Sequence, residues 1–120
     1  MIGASRAVRV WAWPEPVDLR KGFDGLVGLV GRHIRQDPMT DDYFLFVSRS
    51  RQSAKVLLWD GTGLCIYQKR LARGRFARLW TEGSPETVRL TMSELSLFLE
   101  GADLAGRLPL SPREVQRRVA

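Results

Sequence analysis

Lys69, Arg70, Arg73, Arg75 and Arg78 place five basic residues within ten positions, and no acidic residue occurs between Gly61 and Thr81. Arg49, Arg51 and Lys55 precede them in sequence. Cations at this density suit the phosphates of a polyanion, and five or more phosphate contacts would make binding steeply salt-dependent. The competing reading is a solvated, solubilising run. A second polar cluster, Asp18-Leu19-Arg20-Lys21-Gly22-Phe23-Asp24-Gly25, sets Arg20 and Lys21 just ahead of a helix. Asp18 can cap the turn there, and helix amides pointing the same way as two cations suit a phosphate. A capped helix start with surface cations explains the same residues.

Phe44, Phe46, Trp59, Tyr67 and Phe76 lie among these charges. As base-stacking platforms they would serve a single-strand binder; as large residues at strand positions they fill a core, which is the stronger expectation. Arg73-Gly74-Arg75-Phe76 is a weak match to the basic-glycine-aromatic element of RNA-recognition modules.

Enzyme chemistry has little to stand on. His33, the only histidine, has no acidic or nucleophilic neighbour to orient it. Cys65, the only cysteine, reads as a small strand hydrophobe and has no partner for an internal disulfide or a structural zinc site. The aspartates could include a metal-binding set, but most occupy turn or cap contexts that explain them locally. Tyr67 beside Lys69 and Arg70 does not by itself define a phosphodiester-cleaving nucleophile. The expectation is a protein that is not an enzyme and has neither cofactor nor metal.

The elements that must carry these residues are legible from periodicity. Val8, Val10 and Ala12 alternate with Arg9, Trp11 and Trp13, giving a strand with one apolar and one aromatic-basic row, ended by Pro14 and Pro16. Phe23, Leu26, Val27, Val30 and Ile34 share one face of a helix from about Gly22 to Arg35, weakened by Gly25, Gly28 and Gly31 and ended by Asp37-Pro38. Strands follow at Tyr43 to Ser48, Lys55 to Trp59 and Leu64 to Arg70. Asp60-Gly61-Thr62-Gly63 makes a hairpin link, since glycine tolerates positive φ. Strands in a meander reverse at each turn, so the 49–54 connection comes to the end of the sheet where strand 64–70 finishes. Tyr43 to Val47 is apolar on both sides, which fits a strand covered twice or a face kept for a partner. Val88 to Leu90 adds a short strand, Thr91 and Glu94 a capping box, and Gly101 a helix stop. Ser111-Pro112-Arg113-Glu114 opens a short basic helix.

The fold class expected is α+β, an antiparallel meander with an added N-terminal strand and helices covering one face. Residues 1–103 read as one domain and 104–120 as a basic C-terminal tail with a short helix. The chain's 120 residues and 44% hydrophobic content support one modest core. A net charge of +6 favours an anionic partner, with nucleic acid first. No apolar run approaches membrane-span length, and no basic-then-apolar leader opens the chain, so a reducing cytoplasm without membrane association is expected.

Taken in order, Asp18 to Leu26, Lys55 to Cys65, Tyr67 to Leu71, Arg73 to Phe76 and Leu99 to Asp103 resemble the TnpB accessory protein of the IS-sixty-six family of bacterial insertion sequences. The likeness runs from about Val10 to Asp103. It departs at the proline-rich Trp13 to Val17 and from Leu104 onward. It does not extend to the much larger RNA-guided nucleases that share the TnpB name. The resemblance implies a small protein needed for transposition beside a separate transposase that carries the catalytic acidic residues. It implies no chemical activity for this chain. Charge and resemblance together lead to a noncatalytic accessory factor whose partners are the transposase of the same element and DNA. Arg20, Lys21, Arg49, Arg51, Lys69, Arg70, Arg73 and Arg75 are expected to line the nucleic-acid-facing surface, over a scaffold of Trp59 and the aromatic strands. The alternative is an adaptor whose basic edge grips an acidic surface of the transposase without touching nucleic acid. A nuclease would instead show metal-dependent cleavage by the purified chain.

Overall fold

A computed structural model of the chain describes residues 8–34, 37, 39–80 and 87–101. The expected tail 104–120 and its short helix lie outside the described residues.

The chain opens with β1 (Val10–Ala12), whose Val10 and Ala12 turn to one side of a sheet and Trp11 to the other, as a period of two requires. Pro14 and Pro16 then fall where no donor is needed. The amides around them, Trp13 N and Val17 N, donate to Leu45 O and Val47 O at 2.9 Å each, so the chain runs on beside the next strand. Helix α1 (Phe23–Leu29) follows, and the glycine-weakened stretch continues as a π-helical segment, Val30–Ile34.

The meander is β2 (Tyr43–Val47), β3 (Ser53–Trp59) and β4 (Leu64–Arg70), paired antiparallel. Its tight turn is built by Asp60, whose Oδ1 accepts from Thr62 N and Gly63 N at 2.9 Å, with Gly61 at φ 102°. Strand β5 (Val88–Leu90) pairs antiparallel with β1, and β1 pairs parallel with β2. The open sheet has the order β4-β3-β2-β1-β5. Helix α2 (Met92–Glu100) begins with the expected capping box: Glu94 N donates to Thr91 Oγ1 at 3.1 Å and Thr91 N to Glu94 Oε1 at 2.8 Å. It stops at Gly101, φ 114°, where a Cβ would come within 2.9 Å of Leu71 Cδ2.

The α+β class, the meander and the added N-terminal strand are as the sequence indicates. The helices, expected together, lie on opposite faces. Phe44, Phe46 and Leu57 pack with Leu26 of α1 and Val30 of the π-helical segment, whereas Leu45, Val47 and Val56 pack with Leu95 and Phe98 of α2 and with Phe76 and Leu79. The reason is in β2, which is apolar on both sides and must be covered twice. Of the two readings open for that strand, the doubly covered one holds.

At one end of the sheet, just before β2, fully buried Asp42 accepts from Arg9 (2.9 Å) and from Trp11 Nε1 (3.1 Å). Arg9 and Arg89 both lie over the Trp11 ring, 5.5 and 5.1 Å from its centroid. The aromatic-basic row of β1 contains two of these residues, but Asp42 and Arg89 come from distant elements.

Candidate nucleic-acid interface

Four pieces of backbone converge at the other end of the sheet. Because β1 is parallel to β2, the chain after β1 reaches the end where β2 stops, and Lys21 O there accepts a 2.8 Å hydrogen bond from Lys55 Nζ on β3. The 48–52 turn joins β2 to β3 at the same end, and a cleft of about 410 Å³ separates its Arg49 from Pro16 to Leu19. The end of β4 meets this turn through Leu71 N, which donates to Gln52 O at 2.8 Å. The segment beyond β4 returns to it as well, since Phe76 N donates to Arg51 O. Helix α2 finishes against Leu71. All eight candidate residues therefore belong to one end of the molecule, and they fall into two kinds.

Arg49, Arg70, Arg73 and Arg75 are exposed and form no ion pair with a described carboxylate. Arg78 is exposed beside them and equally unpaired among the described residues. It is a further member that the sequence selection left out, although it completes the five-residue run. Lys21 is exposed too, with its amide donating to Asp18 O at 3.1 Å and its carbonyl accepting from Lys55, and its ammonium forms no ion pair with a described carboxylate.

The other cations are already occupied. Arg20 grips Asp18 with Nε and NH2, the latter at 2.7 Å, so its charge is neutralised locally. This fork and the backbone amide of Arg20 hold the Asp18 carboxyl well below the usual carboxylate range, while the pair raises the Arg20 guanidinium. Lys69 Nζ donates to Leu99 O at 2.7 Å, placing a cation on the carbonyl-rich end of α2. Arg51 sits at φ 61° and sends NH1 to Phe76 O at 3.1 Å, so side chain and backbone together hold the Arg73 to Phe76 segment down. Its guanidinium is lowered by partial desolvation first, then by the charges of Arg78 and Arg75. That repulsion places three guanidinium groups near one another.

The aromatic residues divide as well. Phe44, Phe46 and Phe76 are fully buried, and Phe76 stacks on Phe98 with centroids 5.0 Å apart. Trp59 is half-buried, whereas Tyr67 and Phe23 are about half exposed, at 50% and 47%. Phe23 opens α1 directly after Lys21 and Gly22.

Three aspartates lie at the opposite end, where Asp41 and Asp42 precede β2 and Asp60 turns β3 into β4. Three hydrogen-bonding neighbours, led by the Thr62 and Gly63 amides, lower the Asp60 carboxyl to about 2. Cys65 Sγ lies 3.5 Å from Asp60 Oδ2, and desolvation followed by that carboxylate pushes the thiol up, which suits an inert cysteine rather than a nucleophile. The His33 side chain lies outside the described residues. Among the described residues no group of three or more His, Cys, Asp or Glu is arranged to hold a metal, and no helix is long and apolar enough to cross a membrane.

Comparison with known proteins gives one family and two relatives. Residues 8–108 match the family model described as IS66 Orf2 like protein. Two uncharacterized proteins of Sinorhizobium fredii, y4jC and y4hO, are each 34% identical over 103 residues; the match covers 86% of this chain and 86% and 88% of theirs. No solved structure matches.

Proposed function

The chain belongs to the IS66 Orf2-like family, and from that membership we propose that it is a noncatalytic accessory protein in the transposition of a bacterial insertion sequence, binding element DNA, bare or carrying the transposase, through its basic end. The observation that carries this reading is the set of exposed guanidinium groups of Arg49, Arg70, Arg73, Arg75 and Arg78, which share one end of the sheet without a described carboxylate to neutralise them. Arg51, Lys69 and Lys55 support that end from beneath through backbone carbonyls. The exposed groups are placed for phosphates rather than bases, because the interleaved Phe76 faces the core.

The test is a fluorescence titration with terminal-repeat duplex at several salt concentrations. Five phosphate contacts predict a log–log slope of roughly −4.5 and an affinity loss of about 500-fold between about 50 and 200 mM salt. Salt-insensitive or absent DNA binding, with the transposase still captured, would establish the adaptor reading instead. Phe23 favours that second reading, since an exposed aromatic beside Lys21 is a natural anchor for a protein surface. Cleavage of DNA by the purified chain in Mg²⁺ or Mn²⁺ would overturn both.

A further inference from the structure

Strand β4 is seven residues long and ends the sheet. Its pairing with β3 fixes which backbone groups remain for another strand. Asp60 N donates to Gly63 O and Leu71 N to Gln52 O, and the register between them runs from Trp59↔Leu64 to Ser53↔Arg70. Hydrogen-bonded and non-hydrogen-bonded pairs alternate in an antiparallel ladder. Cys65, Tyr67 and Lys69 therefore direct their amides and carbonyls to β3, and Leu64, Ile66, Gln68 and Arg70 direct theirs away from the sheet. Natural edges are blunted by proline, bulges or charge. Here the charges stand only in the last two residues, Lys69 and Arg70, and Leu64 to Tyr67 carries none of these devices.

We infer that two copies of this chain pair along β4, antiparallel about a two-fold axis at Tyr67, into one continuous sheet. The edge is self-complementary in that register. With Tyr67 opposite the second copy's Tyr67, Ile66 faces Gln68 and Leu64 faces Arg70, so the outward backbone groups meet as hydrogen-bonded pairs in both directions. Tyr67, half exposed in the single chain, gains an aromatic neighbour at the close, non-hydrogen-bonded position. The charges agree as well. Lys69 and Arg70 lie opposite Cys65 and Leu64 rather than opposite each other. The Asp60 turn, its carboxylate held ionised, closes the end of β4 that lies beside the Arg70 end of the second copy's β4. A strand edge acidic at one end and basic at the other favours antiparallel self-pairing and disfavours the parallel arrangement. The contact is isologous, as a closed dimer requires. It is independent of what the basic ends bind.

Analytical ultracentrifugation of the full chain should give a dimer mass that falls to monomer on dilution. Gln68→Pro removes an outward amide without touching the β3 ladder, and is expected to weaken association at least tenfold while the circular dichroism spectrum stays unchanged. The register has its own readout, which also decides the matter should Gln68→Pro fail to fold. In a Cys65→Ser background, Tyr67→Cys puts two thiols across a non-hydrogen-bonded pair with Cα atoms about 4.5 Å apart, within disulfide reach. Mild oxidation should crosslink it nearly completely, and Lys69→Cys far less. A wild-type chain that stays monomeric at every concentration overturns the inference. So does a dimer indifferent to Gln68→Pro and not crosslinked through Tyr67→Cys. A monomer whose Ile66 and Gln68 amides resist hydrogen exchange would mean that another part of the chain covers the edge, and would overturn it too.

Discussion

Lys55 on β3 reaches across to Lys21, 34 positions earlier, and donates a 2.8 Å hydrogen bond to its carbonyl. The ammonium belongs to a residue only 8% exposed, so a cation that the sequence groups with the surface charges instead ties the Asp18 to Gly22 turn to the sheet. Lys55→Met keeps the aliphatic stem and leaves the Lys21 carbonyl without its donor. We expect a loss of about 2 kcal/mol in urea unfolding, with the salt slope of DNA binding unchanged.

Arg51 holds two roles that one substitution pair separates. Its left-handed backbone (φ 61°) penalises any side chain, while its guanidinium bonds Phe76 O. Both Arg51→Ala and Arg51→Gly lose that bond, but only glycine relieves the backbone, so the glycine variant should be more stable than the alanine variant by about 1 kcal/mol. Thermal unfolding of the two side by side checks the order, which reverses the one expected in an extended strand.

Acid stability should carry the mark of Asp60. Its carboxyl is lowered from 3.8 to about 2 by the turn amides, so the folded state binds its proton less readily than the unfolded chain. The stabilisation is fully present above about pH 4 and is lost as pH falls from there through about 2. In urea unfolding across this range, Asp60→Asn should flatten the pH dependence relative to wild type. An unchanged profile would show that the turn does not hold the carboxylate.

Arg73→Ala and Arg75→Ala test the proposed interface without disturbing the core, since both side chains are exposed. Each should reduce the magnitude of the salt slope by about 1 and shift stability by no more than about 0.5 kcal/mol. Lys69→Ala is the informative contrast. By removing the bond to Leu99 O at the end of α2, it should lower stability by about 1 kcal/mol or more.

What could be read beforehand, and what could not, follows from the range of the forces involved. The Asp60 to Gly63 turn and the Thr91–Glu94 box are local chemistry, complete within a few residues. The doubled apolar character of β2 requires cover on two sides but does not say from where, so the placement of α1 and α2 on opposite faces needed the tertiary structure. The same holds for β1, whose parallel partner lies thirty-three positions downstream, Val10 opposite Tyr43. Cationic residues could be counted but not sorted. Arg51, Lys69 and Lys55 find their acceptors in the carbonyls of Phe76, Leu99 and Lys21, and a backbone carbonyl leaves no trace in residue type. Arg20 is the exception, since its partner Asp18 stands two positions away in the sequence itself.

With a helix laid over each broad side of the sheet, the proposed basic end and the β4 edge both lie on its perimeter. Substitutions along that perimeter can retune affinity while the interior stays as it is, and substitutions in the interior can adjust durability without altering what the molecule recognises. Selection can therefore act on the two properties separately.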